Sequence, residues 1–206
     1  MADLDVIVVL FIVLILSLSF HEAAHAWTAD QLGDPTARHL GRLTLNPLAH
    51  IDWIGTVLFP LIAMLSGLPL LGWAKPVPVN PHNLRAPRRD FAIVALAGPV
   101  SNLILATGAA IILKMLVVTD MAPLSLGVMM LARAVSLNVL LAVFNMLPVP
   151  PLDGGNVLAG IVPERTARIL DRLRPYGILI LYALIFTDVL GRIVIPIQRG
   201  ILAWLR

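Results

Sequence analysis

The chain has 206 residues, of which 59% are hydrophobic and only 13% charged, whereas a soluble domain covers its surface with roughly 25% charged residues. A molecule wetted on all sides is therefore excluded, and the bilayer is the solvent that replaces the missing charge. The net charge of +3 is scattered between apolar segments, so the basic residues set topology and do not form a nucleic-acid surface.

The first apolar run, Val6 to Trp27, is long enough to cross a hydrocarbon core of roughly 30 Å. Asp3 and Asp5 stand where a signal peptide carries basic residues, and no small-residue cleavage site closes the run. It reads as a permanent transmembrane helix. From Thr28 to His50 the chain is polar, with Gly33, Asp34-Pro35, Gly41 and Asn46-Pro47 as turn signals, and the alternation over His39 to Leu45 predicts a short strand. Ile51 to Ser66 is a short apolar segment interrupted by Pro60, which predicts a tilted span or a re-entrant helix.

Gly67 to Pro87 carries Pro69, Pro76, Pro78, Pro81 and Pro87, too many for a helix. Extended backbone facing lipid would leave its amides unsatisfied, so this loop must line a protein cavity or lie outside the bilayer. Phe91 to Val118 and Leu124 to Leu147 predict two more spans, and Pro148, Pro150 and Pro151 then break the helix before Leu152-Asp153-Gly154-Gly155. Glu164 to Arg174 reads as an interfacial helix, with Arg165, Arg168 and Arg172 set against Ile169 and Leu173. A last apolar run extends from Tyr176 to Leu190, and the location of the tail to Trp204 is left open, the interface being one option. The expected fold class is an all-α polytopic bundle of about four to six transmembrane or re-entrant helices, with a small β element after the first helix.

Positive charge orients the spans. Arg38 and Arg42, then Lys75, Arg85, Arg88 and Arg89, then the arginines after Glu164 all fit the cytoplasm, which leaves the N-terminus and the turn at Thr119 to Pro123 outside. Arg192, Arg199 and Arg206 run against this placement if the tail is outside.

His21-Glu22-Ala23-Ala24-His25 is an HExxH pattern. Residues four apart on a helix lie about 40° apart around its axis, so both imidazoles face one point. Glu22 falls beside that point, where a carboxylate can take a proton from metal-activated water. The chain has two glutamates, and this one sits inside a membrane span, where a carboxylate costs about 2.5–3.5 kcal/mol on insertion scales. A tolerated polar cluster near a helix end is the plain alternative. Three ionisable groups on one side of an apolar helix point instead to a metal or a proton pathway.

A catalytic zinc needs a third protein ligand and one open position. There is no cysteine, so disulfides are excluded and the candidates are His39, His50, His82, Glu164 and the aspartates. Asp153 stands out because it follows a proline break, precedes two glycines and lies on the same membrane side as His21. The competing reading of Asp153 is an ordinary N-cap for the helix that follows.

His21-Glu22-x-x-His25 followed by Asn145-Met146-Leu147-Pro148-Val149-Pro150-Pro151-Leu152-Asp153-Gly154 resembles the site-2 protease family of intramembrane metalloproteases. That family carries HExxH and NxxPxPxLDG in this order. Ala97-Gly98-Pro99-Val100-Ser101-Asn102 and Gly72-Trp73-Ala74-Lys75-Pro76-Val77-Pro78-Val79-Asn80-Pro81 are also similar to its recurring segments, and the likeness covers about residues 10 to 175.

The resemblance implies one Zn(2+) per chain, bound by His21, His25 and Asp153, with Glu22 as the general base that later protonates the leaving amine. It implies that Asn145 holds the substrate backbone, against the alternative of a capping or interhelical amide. Asn102 reads as a structural amide bonding across helices beside Gly98-Pro99, and His39, His50 and His82 are given no role. A single domain over 1–206 is expected, with a catalytic core about 6–160 and interfacial and transmembrane helices about 163–206. No PDZ or nucleotide-binding regulatory domain is expected within these 206 residues.

The partners implied are the lipid bilayer and a transmembrane protein or peptide substrate, with no nucleic acid. Selection is left to the bundle, the Pro-rich loop or another protein, an adaptor or a second copy in a homo-oligomer. The Pro-rich loop could offer an edge to an extended substrate, though Pro76 and Pro78 lack amide donors. The expected location is a prokaryotic cytoplasmic membrane, with the site toward the cytoplasm.

Two rival classes are a metal-ion or proton transporter, which also uses intramembrane His, Glu and Asp, and a scaffold with a structural zinc. A transporter often shows an internal repeat, which is not found in this sequence. A scaffold has no use for Glu22, which is not a ligand.

Overall fold

The computed structural model describes residues 4–66, 73–118, 126–187 and 189–205. The helices are α1 (Leu4–Gln31), α2 (Thr36–His39), α3 (Phe59–Ser66), α4 (Pro87–Val118), α5 (Leu126–Asn145), α6 (Asp153–Ile161), α7 (Glu164–Leu173), α8 (Gly177–Phe186) and α9 (Val189–Leu205). A π-helical turn, Trp53–Leu58, leads into α3, its start capped by Asp52 accepting from Ile54 N and Gly55 N. The expected turn at 119–123 and residues 67–72 of the Pro-rich stretch lie outside the described residues.

Three helices, α1, α4 and α5, are long and apolar enough to cross a membrane. A fourth span is reached only if the bent run Glu164–Phe186 plus Val189–Leu205 counts as one. This corrects the expected four to six. Ile51 to Ser66 and the run after Tyr176 are apolar enough, but each forms short pieces. Pro60 has no N–H to donate and falls where the π-turn passes into α3, while α8 has only 10 residues. A helix needs about 20 residues to span.

The expected β element is also overturned, for there is no β-strand among the described residues. Thr36–His39 forms one helical turn, closed by Arg42 N–H donating to Ala37 O at 2.8 Å. Gly41, at φ 68°, takes the left-handed conformation that ends such a turn and that a strand cannot contain. Alternating hydrophobicity was present there, but no ladder exists among the described residues to use it.

On α1 the exposed residues Leu4, Val8, Ile12, Leu16 and Phe20 follow a four-residue step and form one apolar stripe. The opposite face buries Val9, Val13, Leu14 and Leu18 against Leu137 of α5 and Ala74. α4 is the central element, packed against α1, α5 and α6. Its first turn is pinned to α6 by Arg88, whose Nε donates to Ala159 O at 2.8 Å and whose Nη2 donates to Val162 O.

The segment 73–80 has no regular secondary structure and is held at scattered points instead of by a ladder. Trp73 N–H donates to Gly55 O (3.1 Å) and Lys75 N–H to His50 O (2.9 Å). Arg42 Nη2 donates to Lys75 O at 2.6 Å. Asn80 N–H donates to Asp34 Oδ2 at 2.6 Å.

Candidate active site

His21, Glu22 and His25 lie on the inner face of α1, each at most 9% exposed. The chain reverses after α5 through Pro148–Pro151 and re-enters as α6, whose first residue is Asp153. Gly154 makes this possible: a Cβ there would sit 2.3 Å from Met146 O. Asp153 Oδ2 reaches 3.0 Å from His21 Nε2 and 3.4 Å from His25 Nε2. Asp153 is thus brought to the histidines, and it is not the N-cap of α6: that position is Leu152, and Asp153 is the first helical residue.

The far sides of both imidazoles are committed. His25 Nδ1 lies 2.7 Å from Val94 O, a carbonyl that can only accept, so Nδ1 carries the hydrogen. His21 Nδ1 lies 2.6 Å from Asn102 Oδ1 and donates likewise. In the neutral form each Nε2 then presents a lone pair to the buried Asp153 Oδ2, an oxygen with no hydrogen-bond partner. Three electron-rich atoms at these distances hold together only around a cation, whether a shared proton or a metal ion. Zinc with four donors at 2.0–2.1 Å in a tetrahedron sets them about 3.3 Å apart, close to the separations observed. The residues fit the metal.

Room for an ion comes from α4. A Cβ on Gly98 would lie 2.5 Å from both His21 Nε2 and His25 Nε2. Glu22 also belongs to a buried cluster, with the ligand atoms of His21, Glu22 and His25 within 4.8 Å of one another. Its Oε2 accepts from Val77 N–H at 2.8 Å, so this oxygen is already engaged where Asp153 Oδ2 is not.

Asn145 is half-buried in the last turn of α5, and its Nδ2 donates to Leu141 O of its own helix at 3.0 Å. Asn102 does bond across helices, and one partner is His21 itself. His50 is buried, its Nε2 lying 2.8 Å from Thr44 O. Val77, Val94, Gly98, Ser17 and Asn138 were not singled out by sequence reasoning as contributors. A signal existed for two of them: a serine and an asparagine inside apolar spans are polar groups that need partners.

The family model of peptidase family M50 matches residues 120–187. The protein named "Putative zinc metalloprotease YwhC" of Bacillus subtilis (strain 168) is 38% identical over 190 residues, covering 90% of this chain and 83% of that protein. "Putative zinc metalloprotease Rip2" of Mycolicibacterium smegmatis is 35% identical over 179 residues, covering 86% of this chain and 66% of the relative. The Rip2 protein of Mycobacterium tuberculosis (strain ATCC 25618 / H37Rv) is 32% identical over 178 residues with the same coverage. No solved structure matches the chain.

Membrane-length helices around a buried His-Glu-His cluster define an intramembrane zinc-dependent protease. The chain belongs to peptidase family M50, the zinc metalloproteases of the site-2 protease type.

Proposed function

We propose that this protein hydrolyses peptide bonds in or beside transmembrane segments of other membrane proteins, with one zinc ion held by His21, His25 and Asp153. The observation that carries the ligand set is the convergence of two Nε2 lone pairs on a buried, donorless Asp153 Oδ2, at 3.0 and 3.4 Å. Glu22 is assigned the base and not the third ligand, because its Oε2 is occupied by the Val77 amide.

Zinc supplies Lewis acidity, acidifying water and polarising the scissile carbonyl. Glu22 takes the proton from the attacking water and, as the C–N bond breaks, returns it to the leaving nitrogen. Gly98 keeps the space above both imidazoles open for the reacting group. The substrate helix must unwind locally, because helical carbonyls are engaged in their own i to i−4 bonds. Asn145, the last residue of α5, is assigned to hold the unwound backbone once its bond to Leu141 O is exchanged. The charge distribution supports a cytoplasmic setting for this site.

The test is cleavage of a transmembrane substrate by purified protein in proteoliposomes, with zinc content measured in parallel. Glu22→Gln is expected to lower the rate by about 10²–10⁴-fold with zinc retained, and Asp153→Ala to lose zinc. Undiminished cleavage by Glu22→Gln would overturn the mechanism.

A further inference from the structure

Asn102 of α4 and Asn138 of α5 are fully enclosed, at 0% and 2% exposure, inside helices that are otherwise largely apolar. Their hydrogen bonds run in one direction. Asn138 Nδ2 lies 2.9 Å from Ala134 O, which can only accept, and this fixes the Asn138 amide with its Oδ1 toward α4. The same Nδ2 lies 2.9 Å from Ser17 Oγ. Asn138 Oδ1 then accepts from Asn102 Nδ2 at 2.8 Å, and that nitrogen is also 3.4 Å from Ser17 O. With its nitrogen so committed, Asn102 can turn only its oxygen to His21 Nδ1, at 2.6 Å.

We propose that Asn138, Ser17 and Asn102 form a positioning relay across α5, α1 and α4 that holds His21 as the Nδ1–H tautomer, its Nε2 lone pair aimed at the metal. The relay rests on the zinc assignment above. His25 needs no equivalent, since a backbone carbonyl performs the same task. The relay borders an apolar groove of about 510 Å³ between α1, α4 and α5, lined by Val13, Ile104 and Leu131 together with Ser17 and Asn138. Apart from these two, the side chains lining it are apolar and offer no competing donor or acceptor. In such surroundings hydrogen bonds strengthen and a mispaired amide is heavily penalised, so each link locks the next. Removing Asn138 therefore disturbs His21 without touching it.

The experiment measures Zn²⁺ affinity by chelator competition, and the visible absorption of bound Co²⁺, on metal-stripped full-length protein in detergent. Asn102→Leu is expected to weaken zinc by about 10–100-fold, the range for outer-shell partners of a ligating histidine, and to shift the cobalt bands. Asn138→Leu should weaken it by a smaller factor in the same direction. Asn102→Asp keeps an acceptor for Nδ1 but sets a carboxylate oxygen against Asn138 Oδ1 and Ser17 O, so it should retain more affinity than Asn102→Leu and less than wild type.

Unchanged affinity and cobalt spectrum in both Leu variants would overturn the relay. So would equal losses in Asn102→Asp and Asn102→Leu. Thermal unfolding of the metal-free proteins identifies any variant that has lost its fold, and Ser17→Ala, which deletes one oxygen, then carries the test with the same criterion. Wild-type protein binding zinc no better than His25→Ala would bring down the zinc assignment itself, a result distinct from wild-type binding with insensitive Asn variants.

Discussion

The backbone N–H of Val77 donates to Glu22 Oε2 at 2.8 Å, joining residues 55 apart in sequence. The carboxylate assigned as base is thus oriented from the Pro-rich segment and not from its own helix. Pro76 and Pro78 have no N–H, so Val77 supplies the amide donor of this tripeptide.

Val77→Pro should remove that donor while keeping an apolar residue in an extended setting. The expected outcome is a fall in kcat of about 10-fold or more, the worth of a hydrogen bond to a charged acceptor, with zinc content unchanged. Val77→Ala, which retains the N–H, should stay near the wild-type rate. Steady-state kinetics on the two variants decides it, and equal rates would remove the orienting role.

Gly98→Ala places a methyl carbon 2.5 Å from both Nε2 atoms, less than any real carbon tolerates. Neither α1 nor α4 can retreat easily, because Asn102, one turn along α4, is tied to His21 and Ser17. Zinc binding should weaken by more than the roughly 100-fold upper range seen for outer-shell changes, while the metal-free protein loses only the roughly 1–3 kcal/mol that an added methyl costs a packed site. Zinc analysis after dialysis against a weak chelator provides the measurement.

Asp34 ties the end of α1 to the Pro-rich segment. Burial pushes its carboxyl up, but donors from Thr36, Asn83 Nδ2 and the Asn80 and Thr36 amides outweigh burial and hold it below the ordinary carboxylate range. A lowered folded-state value means the unfolded chain binds the proton more readily. The contribution is therefore complete above the ordinary aspartate value of about 3.9 and disappears as pH falls through the folded value. Asp34→Asn should destabilise the protein at pH 7 by about 2 kcal/mol, and the gap in Tm between the variant and wild type should close on acidification. A gap independent of pH would contradict the assignment.

How legible the molecule was from its letters differs from residue to residue. His21, Glu22 and His25 follow from helix geometry alone, because all three stand within five positions of one regular element. Asp153 needed a pattern as well, since its arrival at the histidines depends on a reversal through prolines and on a backbone approach allowed by Gly154. Val77 and Val94 could not be read at all: what they contribute is a backbone N–H and a backbone C=O, groups every position has in common. Asn138 was visible as an amide in an apolar span, but nothing in the sequence says that its partner is on α4.

The fold was less legible than the site. Apolar content identified the segments correctly, yet Ile51 to Ser66 and the run after Tyr176 fall short as spans through breaks whose effect on length a hydropathy reading does not weigh. The strand expected at His39 to Leu45 failed for a comparable reason. Its alternation was real, but Gly41 and the lack of a pairing edge assigned those residues to a turn. Asn145 remains a proposal about substrate, since its bond to Leu141 O stays within α5.

Gly98 separates possession of the ligands from the capacity to use them. A relative with its HExxH and Leu-Asp-Gly letters intact, but any side chain at this position, would keep the bundle and lose the space for an ion. Such a protein could still receive a transmembrane helix and release it uncut. One letter on α4, with no chemistry of its own, would then distinguish a protease from a decoy.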